Sequence, residues 1–438
     1  MSQERDELNR RRRAREEARK KREQAQKRLY FRLAAAAMVL LACGIGIFFL
    51  IRDNAPAPDE NAFPTISVEQ TQPPETEAPT EAASWQKANE VIHLVAAGDL
   101  NVTDNTVWAG QEGSTYDYTN AFMDVASIFT EADLALLNFE GTVNGMPYGT
   151  VNGSAPAEML RALKRAGVDL VQMANSTIVN GGYSGLVTTL SNIRSEGIEP
   201  VGAFSSTEEF RKSKGYTICE VGDIKIALVA FTKGMGGHGL PEGSEDCVNL
   251  LYTDYATTYR EIDVEGITAV LRAAENEDPD ITIALLHWGS EYNEDISKSQ
   301  ENIRDLMLSN GVDAIIGTHS HLVQKIDFDE ASGQLVAYSL GDFFGDAKRS
   351  GTQYSIILDL EITKNYDTGI TRITDFSYTP IYTLSKADCD GERRVVRIDN
   401  AISAYELNFV DKVTKDCYDS MIYALQRIDA RVNDKDKK

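Results

Sequence analysis

The chain has 438 residues, 25% of them charged and 42% hydrophobic, which is room for one large domain or two ordinary ones. Lys and Arg number 44 against 67 Asp and Glu, a formal net charge of −23 with His neutral. That sign opposes nonspecific binding of polyanions: no nucleic-acid partner is expected, and an anionic ligand must be drawn in by a local basic patch or a bound cation.

The charge is unevenly spread. Residues 1–32 hold 13 Lys/Arg against 6 Asp/Glu, including "RRRAR" at Arg11 to Arg15. Leu33 to Ile51 is then a 19-residue stretch without a charge, long enough to cross a bilayer as a helix. A cleaved signal peptide would have a shorter basic region and a small-residue cleavage site. "LLAC" at Leu40 to Cys43 faintly resembles a lipoprotein signal, but Gly44 to Ile51 stays apolar past the cysteine. The favoured reading is a single uncleaved transmembrane helix, with a cytoplasmic amino terminus and an extracellular remainder. The basic arm then sets topology and is not a nucleic-acid binder. Residues 52–88 are rich in Pro, Thr and Glu and read as a disordered tether. Taking away the 14 Lys/Arg and 6 Asp/Glu of residues 1–52 leaves 30 basic and 61 acidic residues outside, a net charge of −31.

From residue 89 to about 385, apolar strand-like runs alternate with amphipathic helical ones, which predicts an α/β domain with helices covering its sheets. "VIHLVAAGDL" reads as a strand ending at Asp99, and "ADLALLNFEGTV" as one ending at Glu140. Helix "APAEMLRALKRAG" leads to "VDLVQMAN"; helix "GLVTTLSNIRSEG" leads to "YTICEVGDIKIALVAFT". Helix "EGITAVLRAAENED" leads to "DITIALLHWG", and "SQENIRDLMLSNG" to "VDAIIGTHSH" and then "QLVAYSLGDFF". "TQYSIILDLEIT" and "TRITDFSYTPIYT" alternate strictly, as an antiparallel hairpin does. Residues 386–438 form an extension in which helical spacing from Glu406 predicts a closing helix. Cys219, Cys247, Cys389 and Cys417 permit two disulfides in three pairings and fit no zinc-ribbon spacing.

Polar residues collect where the predicted strands end. Asp99 follows "VAAG", Asn138 and Glu140 follow "LALL", Asn175 follows "VQMA", His287 follows "TIALL", and His319 with His321 follow "AIIG". Ligands gather at the carboxyl ends of strands in such sheets. Strand side chains alternate faces, so His319 and His321 are expected to point the same way. Each residue has a plainer reading: Asp99 as a turn or cap, Glu140 as a loop carboxylate, Asn175 as a glycosylation sequon, His287 as a core histidine beside Trp288. Their convergence favours a metal centre. Imidazole and carboxylate together suit Mn, Fe, Zn or Co, and there are enough ligands for two adjacent divalent ions. "GMGGHG" at Gly234 to Gly239 runs into "LPEG" instead of a helix, so it reads as a flexible loop with His238 exposed.

"AAGDL", "LNFEGTV", "LHWGSEY", "GTHSHLVQ" and "YSLGDFF", in that order, resemble the CapA or PgsA-like proteins of capsule (poly-γ-glutamate) synthesis. The resemblance implies the calcineurin-like metallophosphatase fold, a four-layer α/β/β/α sandwich, usually anchored by one span and facing outward. By position it implies Asp99, Glu140, Asn175, His287, His319 and His321 as metal ligands, with Glu140 bridging. It also implies Glu291 and Tyr292 as residues that orient His287. The chain departs from the family pattern twice: Thr177 stands where an acid histidine is expected, and Asp342 where an asparagine is expected. The implied role is hydrolysis or transfer at a phosphate ester or amide bond of an anionic surface polymer, in company with polymer synthesis and export membrane proteins. The alternative is a metal-binding component of that assembly without catalysis.

Overall fold

A computed structural model describes residues 88–389, 391–409 and 412–433. The predicted basic arm, the membrane span and all but the last residue of the tether lie outside the described residues. Among the described residues, no helix is long and apolar enough to cross a membrane.

The chain lays down β1 (Glu90–Asn101), a small hairpin of β2 (Gln111–Glu112) and β3 (Thr115–Tyr116), then β4 (Leu134–Glu140), β5 (Leu170–Gln172) and β6 (Glu199–Val201). A second sheet follows, from β7 (Tyr216–Val221) and β8 (Ile224–Thr232) through β9 (Ile281–His287) and β10 (Ala314–Thr318) to β11 (Ile326–Asp329) and β12 (Gln334–Ala337). The chain then returns to the first sheet with β13 (Asp342–Phe344), β14 (Tyr354–Asn365), β15 (Ile370–Leu384) and β16 (Arg394–Arg397). The first sheet runs β16-β15-β14-β1-β4-β5-β6, with β13 alongside β1; the second runs β11-β12-β10-β9-β8-β7. The expected α/β class is what forms.

Alternation in the second sheet explains its burial on both faces. Ile226, Leu228, Ile283, Leu285 and Ile316 join a core shared with the first sheet. Their neighbours Ala227, Val229, Ala284, Leu286 and Ile315 join a second core with Ile267 and Leu271 of helix Val264–Glu275 and with Ile303 and Met307 of helix Lys298–Ser309. The second sheet thus lies between the first sheet and its own helices, and every residue of β9 and β10 is buried.

Two stretches differ from their predicted form. "QLVAYSLGDFF" is two strands in two sheets, because the chain turns at Gly341 (φ 82) and crosses from β12 to β13. The closing helix does not begin at Glu406, where helix Ile398–Glu406 in fact ends. Leu407 and Phe409 are 69% and 59% exposed, so they offer no buried stripe. The next helix, Lys415–Val432, starts where the Thr414 hydroxyl accepts from the Cys417 amide. All four described cysteines are free thiols.

That last helix is tied to the body by charge. Arg431, only 8% exposed, and Arg427 both pair with Glu294, on the loop after β9. Two guanidinium nitrogens of Arg431, Nε and Nη1, have no partner among the described residues. Glu294→Gln therefore strands a buried charge and should lower stability by about 1–2 kcal/mol, whereas Arg431→Met removes that charge and should cost less. Urea midpoints at unchanged slope will rank the two.

Candidate metal centre

The carboxyl ends of four strands meet between the sheets. β1 and β4 are parallel, with Asp99 beside Asn138 and Asn101 beside Glu140. β9 and β10 are parallel too, with His287 beside Thr318. β13 lies against β1 so that Asp99 faces Asp342. The glycine of "AAGDL" permits that approach: a Cβ on Gly98 would sit 1.8 Å from the Gly341 carbonyl oxygen.

His319 and His321 do converge, but strand alternation is not the cause. β10 ends at Thr318, and both histidines follow it in left-handed backbone, φ 89 and 59. Non-glycine residues adopt that conformation at a cost of order 1–3 kcal/mol, held here by the surroundings. The His319 amide donates to Asp99 Oδ2 at 3.0 Å, which fixes the bend.

Two ligand groups result. Glu140, His287 and His319 have donor atoms within 4.8 Å of one another, and so do Asp99, Glu140 and His321; all five residues are buried. Glu140 belongs to both. Its Oε2, His287 Nε2 and His319 Nδ1 are buried without a hydrogen-bond partner among the described residues. Each such atom costs about 1–3 kcal/mol unless satisfied. A divalent cation bound by the first group would satisfy all three, so the residues fit a metal.

The charges of the site are set by burial and crowding. Burial, then the nearby Glu140, raises the Asp99 carboxyl to about 7. Burial also pushes Glu140 up, but His287, His321 and His319 outweigh it and hold Glu140 well below the usual carboxylate range. Burial and then His287 keep the His319 imidazole well below its usual value, hence neutral and able to ligate. Burial lowers His321 as well, yet Asp342, then Glu140 and Asp99, prevail and hold it well above. Asp342 itself is raised by burial, partly opposed by His321.

The remaining expected residues divide. Asn138 donates to Asp99 Oδ1 at 2.5 Å and accepts from Asn175 Nδ2 at 3.1 Å, so it orients the acid. Asn175 is fully buried, which removes the glycosylation reading, and its carbonyl oxygen accepts both the amide and the hydroxyl of Thr177. In this arrangement it braces the site and presents no free oxygen to it. Trp288 points to the other face of β9, donating to the Tyr338 carbonyl at 2.9 Å inside the helix-side core. Glu291 is exposed, and neither it nor Tyr292 is the partner of His287. Those partners are Thr318 Oγ1 at 3.2 Å and Asn138 Nδ2 at 3.4 Å. Tyr292 stacks on His321 instead, centroids 5.1 Å apart. His238 is exposed and belongs to neither ligand group.

Sequence reasoning missed Thr318 and Asn101, although both stand at strand ends, and Ser176, whose hydroxyl donates to Glu140 Oε1 at 2.5 Å. It also missed Lys233, next after β8, whose ammonium donates to the Gly289 carbonyl at 2.7 Å. The centre opens into a cavity of about 340 Å³ lined by Glu140, His321, Asp342, Thr177, Tyr292 and Arg349, among others.

The family model for the bacterial capsule synthesis protein PGA_cap matches residues 93–347. The chain belongs to this family. It is 27% identical over 265 residues to the PGA biosynthesis protein CapA of Bacillus subtilis, covering 59% of this chain and 64% of that protein. It is 24% identical over 286 residues to the capsule biosynthesis protein CapA of Bacillus anthracis, covering 64% and 66%. The chain therefore spans less than two thirds of the length of either relative. Among solved structures, the calcineurin-like phosphoesterase YfkN of Bacillus subtilis aligns with TM-score 0.41 and 15% identity, over 80% of this chain and 100% of that one.

Thr177 and Asp342, the two positions where the resemblance implies a departure, are both held by hydrogen bonds. The Thr177 hydroxyl donates to Asn175 Oδ1 at 3.0 Å and does not titrate near neutrality. Asp342 accepts from Asn101 Nδ2 at 2.9 Å and pairs with His321 Nδ1 at 2.8 Å. Below pH 7 a cation must displace protons from both Asp99 and His321, so metal affinity should rise steeply from pH 5 to 7 and go on rising above 7 until His321 is neutral. Metal titrations in a pH series check this; a flat profile below 7 contradicts it.

Proposed function

We propose that this PGA_cap member is a membrane-anchored, extracellular protein of poly-γ-glutamate or related surface-polymer biosynthesis, working through a dinuclear divalent-metal site on a metallophosphatase-like four-layer sandwich. The observation that carries the reading is the sharing of one buried carboxylate, Glu140, by two ligand groups at the base of one cavity. Glu140 would be common to both ions, with Asp99 and His321 holding one and His287 and His319 the other. The metals are Mn, Fe, Zn or Co. Once bound, they supply Lewis acidity toward a phosphoryl or acyl oxygen and lower the pKa of water.

The residues divide the remaining work. Ser176 holds Glu140, Asn138 holds Asp99, and Thr318 turns His287 so that its open nitrogen faces the site. Such outer partners fix ligand geometry and are worth roughly 10–100-fold in metal affinity or activity. The reaction is hydrolysis or transfer at a phosphate ester or amide bond of an anionic polymer. Cations in the cavity offset the acidity of the domain for such a substrate. The apolar run Leu33 to Ile51 supports anchoring beside the membrane proteins that make and export the polymer.

Thr177 favours a second reading, binding without turnover, because its hydroxyl cannot deliver a proton as a histidine would. The full chain, Mn-loaded in detergent, should cleave a γ-glutamyl oligomer or a p-nitrophenyl phosphate ester and stop on chelation. Thr177→His should raise ester turnover, by as much as roughly 10²-fold. A metal-replete protein that holds the oligomer yet turns over neither substrate until Thr177→His is introduced would establish the second reading.

A further inference from the structure

We propose that Arg349 forms an oxyanion subsite in the same cavity and grips a free carboxylate of the acidic polymer while the bond to be cleaved lies at the metal centre. This rests on the functional reading above and names the group that this site recognises.

The placement comes first. Arg349 follows β13 by five residues, on the segment that leaves Asp342, and it lines the cavity that Glu140 and His321 also line. Its guanidinium lies 3.9 Å over the Tyr292 ring, and Tyr292 in turn stacks on His321. Arginine, tyrosine and histidine thus form one wall that leads from solvent to the ligands. The tyrosine covers a face of the guanidinium and leaves its N–H edges open.

Charge bookkeeping in the cavity singles out the same residue. Asp346 is paired with Lys348 at 2.5 Å and accepts from Thr103 Oγ1 at 2.5 Å. Asp342 is paired with His321 and Asn101, and Glu140 is held among histidines. Arg349 makes no ion pair or hydrogen bond through its guanidinium among the described residues; its contact there is the Tyr292 ring. Arg349 is exposed and, in a region carrying −31, is a local positive group beside the metal centre that attracts an anion from outside. A planar guanidinium fork matches a carboxylate in two parallel hydrogen bonds. A polymer of γ-linked glutamate offers one such group on every residue, so one residue can present its carboxylate to Arg349 and its neighbouring amide to the metals.

The test uses the metal-loaded full chain with two probes, a γ-linked glutamate pentamer and inorganic phosphate, measured by calorimetry against Arg349→Gln and Arg349→Lys at equal metal content. The pentamer should bind the natural chain at least ~tenfold tighter than Arg349→Gln, with Arg349→Lys between them, because lysine keeps the charge but loses the fork. A pentamer carrying amides in place of free carboxylates should bind as weakly as the Arg349→Gln pair. Equal pentamer affinity in Arg349→Gln and the natural chain overturns the subsite and leaves the polymer reading standing. Arg349-dependent binding of phosphate with no pentamer binding overturns the carboxylate assignment and the polymer reading together.

Discussion

Two buried carboxylates, Asp99 and Glu140, offer oxygens within 4.8 Å of each other at the base of the cavity. Everything around them answers that constraint. Like charges at such a distance in a low-dielectric site cannot both stay ionised without positive partners. Asp99 yields, with a carboxyl raised to about 7, while Glu140 keeps its charge through the surrounding imidazoles. The three unpartnered atoms on Glu140, His287 and His319 mark where protein groups alone leave the account open.

The architecture follows from the need to bring those groups together. β1 and β4 deliver the acids from one sheet, and β9 delivers His287 from the other; a left-handed bend after β10 swings in the last two histidines. Strain in that bend is tolerated because Asp99 itself accepts the His319 amide. The same carboxylate therefore contributes to the ligand set and to the shape of the loop that supplies its partners. Asp342 adds a third acid and answers it locally, by its contact with His321.

Much of this was legible in the sequence, for physical reasons. Apolar runs ended by Asp, Glu, Asn or His located β1, β4, β9 and β10 because a buried strand leaves little room for polar side chains before its end. The pairing of His319 with His321 was read correctly, but from the wrong geometry: periodicity says nothing about φ beyond a strand's last residue. Thr318 and Ser176 went unread because hydroxyls carry no charge or spacing signal, and their roles exist only in three dimensions. Glu291 and Tyr292 do not orient His287 because both lie on the loop past the end of β9, where nearness in sequence does not fix a side chain's direction. The break between Glu406 and Lys415 was hidden because Leu407 with Val410 and Phe409 with Val413 keep helical spacing in the sequence, yet Leu407 and Phe409 stay exposed.

The claim on which the rest stands is that Glu140 is shared by two cations. The most direct measurement is electron paramagnetic resonance of the full chain loaded with Mn²⁺. A carboxylate-bridged pair should give an exchange-coupled multiline spectrum that collapses to isolated-ion lines in Glu140→Gln. Six-line isolated-ion spectra from the natural chain at saturating metal would contradict the bridge.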